Sequence, residues 1–249
     1  MHTTTEFIET LHREGERFAD TAEHVDLTAP VPGCPAWSVR DLVLHLGAVH
    51  RWATGYVVEG RTQPEPIAEA PALEDTELAP WLRDGHARLV AALTEAPAEL
   101  DCWTFLPTGV EPLEFWARRQ AYETSVHRVD IEAASGLALS PMAPEFASGG
   151  IDEFLRGFQA RPSSPVRTET PKTLRILPTD VPAAGWTVSL SADKPPRTER
   201  TRDGQPADCT YTGPAMALYL VLYNRLPIDA VQCGGDVSLA QRWRDLTSS

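Results

Sequence analysis

Three side chains, far apart in the chain, could hold one metal ion: His45 in DLVLHLGAVHRW, and Glu123 and His127 in RRQAYETSVHRVD. Glu123 and His127 are four apart, so on a helix they project from one face, one above the other. A histidine from a second helix completes a facial set of two imidazoles and one carboxylate. Three protein ligands with an open position are what a catalytic ion needs. Spacing alone leaves a second reading open. Glu123 can pair with Arg119 one turn earlier and His127 with Glu123, while His45 can be a hydrogen-bonded histidine bordering an apolar stripe.

The elements that must position these residues follow from hydrophobic period. Glu6 to about Val25 reads as an amphipathic helix, with Phe7, Leu11, Phe18 and Ala22 at helical spacing. TAPVPGCPAW is a loop. Ser38 starts the next helix, with Asp41 three positions on as a capping-box partner, and Val39, Leu42, Val43, Leu46, Val49 and Ala53 form its stripe. RTQPEPIAEAPALED reads as a loop. A third helix spans about Glu77 to Glu95, and a fourth about Pro112 to Ser135, stopped by Gly136.

On the fourth helix Leu113, Trp116, Gln120, Glu123, Thr124, His127, Ile131 and Ala134 share one side, and Phe115, Tyr122, Val126 and Val129 another. A carboxylate on an otherwise apolar side is costly unless it is paired or metal-bound. These lengths predict an antiparallel four-helix bundle over residues 1–140, with ligands projecting inward from facing helices.

GLALSPMAPEFASGG reads as a linker, after which the pattern changes. A short helix around Ile151–Phe158 precedes strand-like runs LRIL, WTVSLSA and DCTYT. GPAMALYLVLYNRLP reads as a buried helix with Pro214 in its first turn, and Val237–Leu246 as a last amphipathic helix. The fold class is therefore α+β, a helical bundle followed by a smaller α+β domain over 145–249.

The formal net charge of −13, with no basic stripe, argues against nucleic acid or anionic membranes as partners. Cys34, Cys102, Cys209 and Cys233 form no C-x-x-C pair and no known disulfide framework. The charged start has no secretory apolar region, and AMALYLVLY is too short to span a bilayer, so a cytoplasmic location is expected.

Two segments, CPAWSVRDLVLHLGAVHRWA and WARRQAYETSVHRVDIEAASG, resemble the signature segments of the mycothiol-dependent maleylpyruvate isomerase family. GPAMALYLVLYNRLP and GGDVSLAQRWRDL are similar to that family's C-terminal domain, so the resemblance covers nearly the whole chain. It implies a DinB-like metal-binding bundle and a C-terminal domain of sterol-carrier-like type. It also implies that His45, Glu123 and His127 are the metal ligands. The implied chemistry uses a divalent ion, zinc above others because no redox step is required, and mycothiol held as a metal-bound thiolate. The thiolate then adds to an electrophile, as in cis–trans isomerisation of maleylpyruvate, with small-molecule thiol and substrate as the partners. The resemblance further points to Arg225 as a substrate-handling residue, against the plainer role of a helix-terminal arginine answering the dipole.

Other readings stay open. The same site could run mycothiol S-transfer, or the chain could be a metal-stabilised carrier of apolar ligands whose AMALYLVLY run lines a cavity. A two-His, one-carboxylate set also suits non-haem iron. His50 is expected off the ligand edge in a polar border role. His86 is expected as a buried hydrogen-bonded histidine, with approach to the metal pocket the alternative. Cys34 precedes a helix start, where thiol pKa values fall, and is read as packing or loop anchoring. Asp130 is either an acceptor behind His127 or a partner of nearby arginines.

Overall fold

The computed structural model describes residues 2–107, 109–182, 184–201 and 206–247. Residues 2–140 and 141–249 form two compact units. The chain is α+β, helical first and mixed afterwards, as its periodicity predicts.

The first unit holds four long helices, α1 (Thr4–Ala22), α2 (Val39–Glu59), α3 (Asp75–Glu95) and α4 (Pro112–Ala134). α1 starts earlier than its apolar stripe suggests because Thr3 and Glu6 form a capping box. α2 has the expected box between Ser38 and Asp41. Gly136 follows α4 with φ of +67°, the left-handed conformation that glycine adopts without strain.

Contacts between side chains fix the order around the bundle. Glu16 of α1 and Glu23 at its C-terminal cap meet Arg83 of α3, while His12 stacks near His86, so α1 and α3 run antiparallel. On α2, His45 meets Glu123 and Tyr56 stacks on Trp116, so α2 and α4 also run antiparallel. Phe7 with Tyr122 and Glu14 with Arg128 make α1 and α4 parallel; Arg40 with Asp75 and Arg51 with Asp84 do the same for α2 and α3. The bundle thus has two helices in each direction, but its parallel neighbours depart from simple up-and-down order.

The Pro-rich segment after α2 makes the parallel α2–α3 pair possible. A 21-residue helix is about 30 Å long, and the 15 residues from 60 to 74 can span up to about 50 Å when extended. They run back along α2. Near its end, Trp52 Nε1 donates to the Glu65 carbonyl at 2.8 Å, and the Glu65 amide donates to Tyr56 Oη at 2.7 Å. Near its start, Arg40 donates to the Leu73 carbonyl. α3 therefore begins level with the beginning of α2.

The core between the helices is built from Phe18, Leu42, Leu46, Leu82 and Ile131, all buried. α4 is the most enclosed helix and carries Arg119, His127, Arg128, Asp130 and Glu132 into the interior. Arg128 donates from Nε to Glu14 at 2.8 Å and from Nη1 to Glu132 at 2.6 Å, joining α4 to α1.

The second unit holds a five-stranded sheet in the order β3-β2-β1-β4-β5. Its strands are β1 (Lys172–Pro178), β2 (Trp186–Leu190), β3 (Arg197–Arg200), β4 (Cys209–Gly213) and β5 (Gln232–Gly235). β1 pairs parallel with β4, and the other neighbours pair antiparallel. Leu174, Ile176, Trp186, Val188 and Tyr211 supply buried faces. β1, β2 and β4 fall on the expected runs. The edge strands β3, RTER, and β5, QCGG, have no apolar alternation to announce them, since their residues are mostly exposed.

Helices α5 (Pro144–Glu153), α6 (Ala215–Leu222) and α7 (Val237–Thr247) complete this unit. The linker expected over GLALSPMAPEFASGG is helical in its second half, and the short helix expected at Ile151–Phe158 is its continuation, a π-helical turn over Phe154–Phe158. Gly150 admits the Tyr219 ring of α6, which a Cβ there would approach to 2.7 Å. No helix among the described residues is long and apolar enough to cross a membrane.

Replacing Arg128 by Met is expected to destabilise the protein by about 3–5 kcal/mol in urea unfolding, because Glu14 and Glu132 stay buried after losing their shared cation. A loss under about 1 kcal/mol would show that this triad does not hold α4 to α1.

Candidate metal centre

Glu123 and His127 lie one turn apart on α4, as their spacing dictates, and α2 brings His45 against them. Both imidazoles converge on one carboxylate oxygen: His45 Nε2 is 3.3 Å and His127 Nε2 3.2 Å from Glu123 Oε1. One nitrogen or oxygen from each of the three lies within 4.8 Å of the others. The second carboxylate oxygen of Glu123 is held by Arg119. The local pairing left open by spacing and the convergence of three ligand groups therefore coexist.

A second layer orients the first. His127 Nδ1 is 2.9 Å from Asp130 Oδ2, and Asp130 is buried. A carboxylate only accepts, so Nδ1 carries the hydrogen and Nε2 faces Glu123. Asp130 thus stands behind His127, in one of the two roles considered for it. Cys34 is buried with Sγ 3.9 Å from the same Asp130 oxygen, which fits packing and loop anchoring.

Trp37 was not marked by spacing, yet its ring centroid lies 4.7 Å from that of His45 and 6.1 Å from that of His127. Backbone bonds from Cys34 to Val31, Trp37 to Cys34 and Val31 to Trp37 tie its loop down. Its signal in the sequence is the Trp three residues after Cys34, just before the helix cap.

The electrostatics are those of a charge cluster taken partly out of water. Burial opposes ionisation of Glu123, but Arg119 and hydrogen bonds to His127 and His45 hold its carboxyl well below the usual range. Burial likewise opposes a charged His127, but Asp130 and Glu123 outweigh it and raise this imidazole to about 9. At neutral pH the metal-free cluster thus keeps a proton on His127, between two carboxylates.

The donor set fits a divalent ion. Two imidazole nitrogens already point at one carboxylate oxygen, the His127 tautomer is set from behind, and His45 and Glu123 keep 29% and 21% of their side chains exposed. An ion would take the place of the proton.

The other two candidate histidines hold other partners. His50 is fully buried, not at a polar border, because α4 covers it; its Nε2 lies 2.9 Å from Thr124 Oγ1. His86 is buried with Nε2 3.2 Å from the His12 carbonyl oxygen, and it does not join the His45 group. Arg225 belongs to the second unit and follows the end of α6, beyond Asn224 in the left-handed conformation. Its Nη1 donates to the Tyr223 carbonyl at 2.8 Å.

Residues 8–132 match the family model described as the mycothiol maleylpyruvate isomerase N-terminal domain. Residues 145–242 match that described as the MDMPI C-terminal domain. A solved structure of the mycothiol-dependent maleylpyruvate isomerase is similar with a TM-score of 0.63 and 15% identity, covering 94% of this chain and 93% of that one. A structure of a histidine-to-alanine mutant of that enzyme gives 0.64 and 14%, with the same coverage. At these identities the likeness shows the fold. No curated protein matches the chain.

The raised His127 value has a consequence for stability. A group whose pKa is higher folded than unfolded stabilises the fold below its unfolded value and ceases to do so as pH rises through its folded value. Chelator-treated protein is therefore expected to lose stability between about pH 6.5 and about 9. His127→Gln should flatten that slope in the urea midpoint plotted against pH; an unchanged slope would assign it to other groups.

Proposed function

This chain belongs to the mycothiol maleylpyruvate isomerase family, and from that premise we propose that it is a metal- and mycothiol-dependent enzyme acting on an electrophilic, maleylpyruvate-like substrate. His45, Glu123 and His127 are the metal ligands in this reading. The observation that supports it most is the convergence of His45 Nε2 and His127 Nε2 on one oxygen of Glu123.

When bound, a divalent ion such as zinc supplies positive charge that lets mycothiol bind as its thiolate, the nucleophile for reversible addition to a conjugated double bond. The protein's own residues prepare the place. Asp130 holds the Nδ1 hydrogen of His127 and so directs its Nε2 lone pair to the centre. Arg119 keeps Glu123 ionised and fixes which oxygen faces the imidazoles. Trp37 limits the freedom of both rings and shields one side of the cluster from water. Arg225 is proposed to handle the anionic end of the substrate; its Nη1 donates to the Tyr223 carbonyl at 2.8 Å.

Zinc-loaded protein with mycothiol is expected to convert maleylpyruvate to fumarylpyruvate, with thiol required but not consumed. Mass spectrometry and absorbance distinguish the outcomes. A stable thiol adduct as sole product would assign S-transfer instead, and turnover without thiol would overturn the cofactor assignment. Asp130→Asn should weaken zinc binding by about 10–100-fold, measured by competition with a chromogenic chelator.

A further inference from the structure

The first unit holds a second group of the same chemistry on its opposite helix pair. His12 and Glu16 stand four apart on α1, His86 meets them from α3, and one nitrogen or oxygen of each lies within 4.8 Å of the others. His86 is 1% exposed, Glu16 is half-buried and His12 is exposed.

The helix gives up a side chain to admit this imidazole. A Cβ at Gly15 would lie 2.1 Å from His86 Cε1. Glycine inside a helix costs about 0.5–1 kcal/mol relative to alanine, so the space has a use that offsets the cost. His86 Nε2 lies 3.2 Å from the His12 carbonyl oxygen. A carbonyl only accepts, so Nε2 carries the hydrogen and Nδ1 is a bare lone pair. That Nδ1 is buried and has no hydrogen-bond partner among the described residues. An unmet buried acceptor is a cost that a cation can remove. A ligating histidine typically shows this arrangement, with its other N–H donated to a backbone carbonyl. Burial also holds the ring below the usual imidazole range, so no proton needs to be displaced from Nδ1 near neutral pH.

The surroundings favour positive charge. Glu16, Asp20 and Glu23 all gather on Arg83, at 3.0, 2.7 and 2.9 Å, so three carboxylates face one guanidinium. Arg83 takes Oε2 of Glu16, which leaves Oε1 for an ion.

We propose that His12, Glu16 and His86 form a second divalent-metal site, suited to zinc or a similar borderline transition ion, that clamps α1 to α3. Two imidazoles and a carboxylate match such ions, with water filling the remaining positions. The site does not depend on the reading of the Glu123 cluster.

The test titrates zinc into chelator-stripped full-length protein and counts bound ions per chain after desalting. His12→Ala is on the surface and spares the core. It should lower the count by one and weaken the corresponding affinity at least about tenfold, both in the parent and in a His127→Ala background. Zinc should raise the melting temperature of His127→Ala but not of the double variant. An unchanged count and affinity in His12→Ala would overturn the proposal. If His127→Ala leaves the count unchanged while His12→Ala lowers it, the α1–α3 site stands and the Glu123 assignment falls.

Discussion

Every buried charge on α4 must be neutralised where it lies, because this helix is enclosed along most of its circumference. The organisation of the first unit follows from how that is done. On one side, Glu14, Arg128 and Glu132 form a dry set whose members are all within 4% of full burial. One cation there bridges two anions, and the helices gain a fixed register. On another side, Arg119, Glu123, His127 and Asp130 form a line of alternating charge along the same helix. That line reaches the surface at Glu123 and is completed by His45.

The difference between the two sets is chemical. Arginine keeps its proton, so the Arg128 set is a closed structural unit. The Glu123 set holds its balance partly through a proton on His127, raised to about 9. A proton shared between imidazole and carboxylate can be exchanged for a metal ion of the right geometry. The same helix therefore provides a permanent anchor one turn from an exchangeable site, and the anchor limits how far the site can drift.

The helix order serves this arrangement. Running back along α2, the segment from 60 to 74 allows α3 to lie parallel to α2 and leaves α2 antiparallel to α4. His45 then comes level with Glu123, His50 with Thr124, and Tyr56 with Trp116. The α1–α3 seam is the other antiparallel pair, and there too an i,i+4 pair of histidine and glutamate meets a histidine from its neighbour. In both places a helix presents a histidine and a glutamate one turn apart, and an adjoining helix presents a second histidine.

Much of this was legible in the residues. The i,i+4 spacing put Glu123 and His127 on one face, the Ser38–Asp41 box announced α2, and the change of period after residue 140 separated helical from mixed structure. These are local properties, set by the pitch of a helix, the alternation of a strand and the chemistry of a cap. Others were decided only when elements met. Periodicity shows which face of a helix is apolar, not which neighbour covers it, so the parallel pairs and the full burial of His50 could not be read. GLALSPMAPEFASGG reads as a linker, yet its second half is helical, with Tyr219 seated against Gly150. RTER and QCGG became strands through backbone pairing, which side-chain pattern barely records at a sheet edge. His86 was legible as a buried, hydrogen-bonded histidine, but its meeting with His12 and Glu16 was not: contact between α1 and α3 is a fact of packing, and no local spacing encodes it.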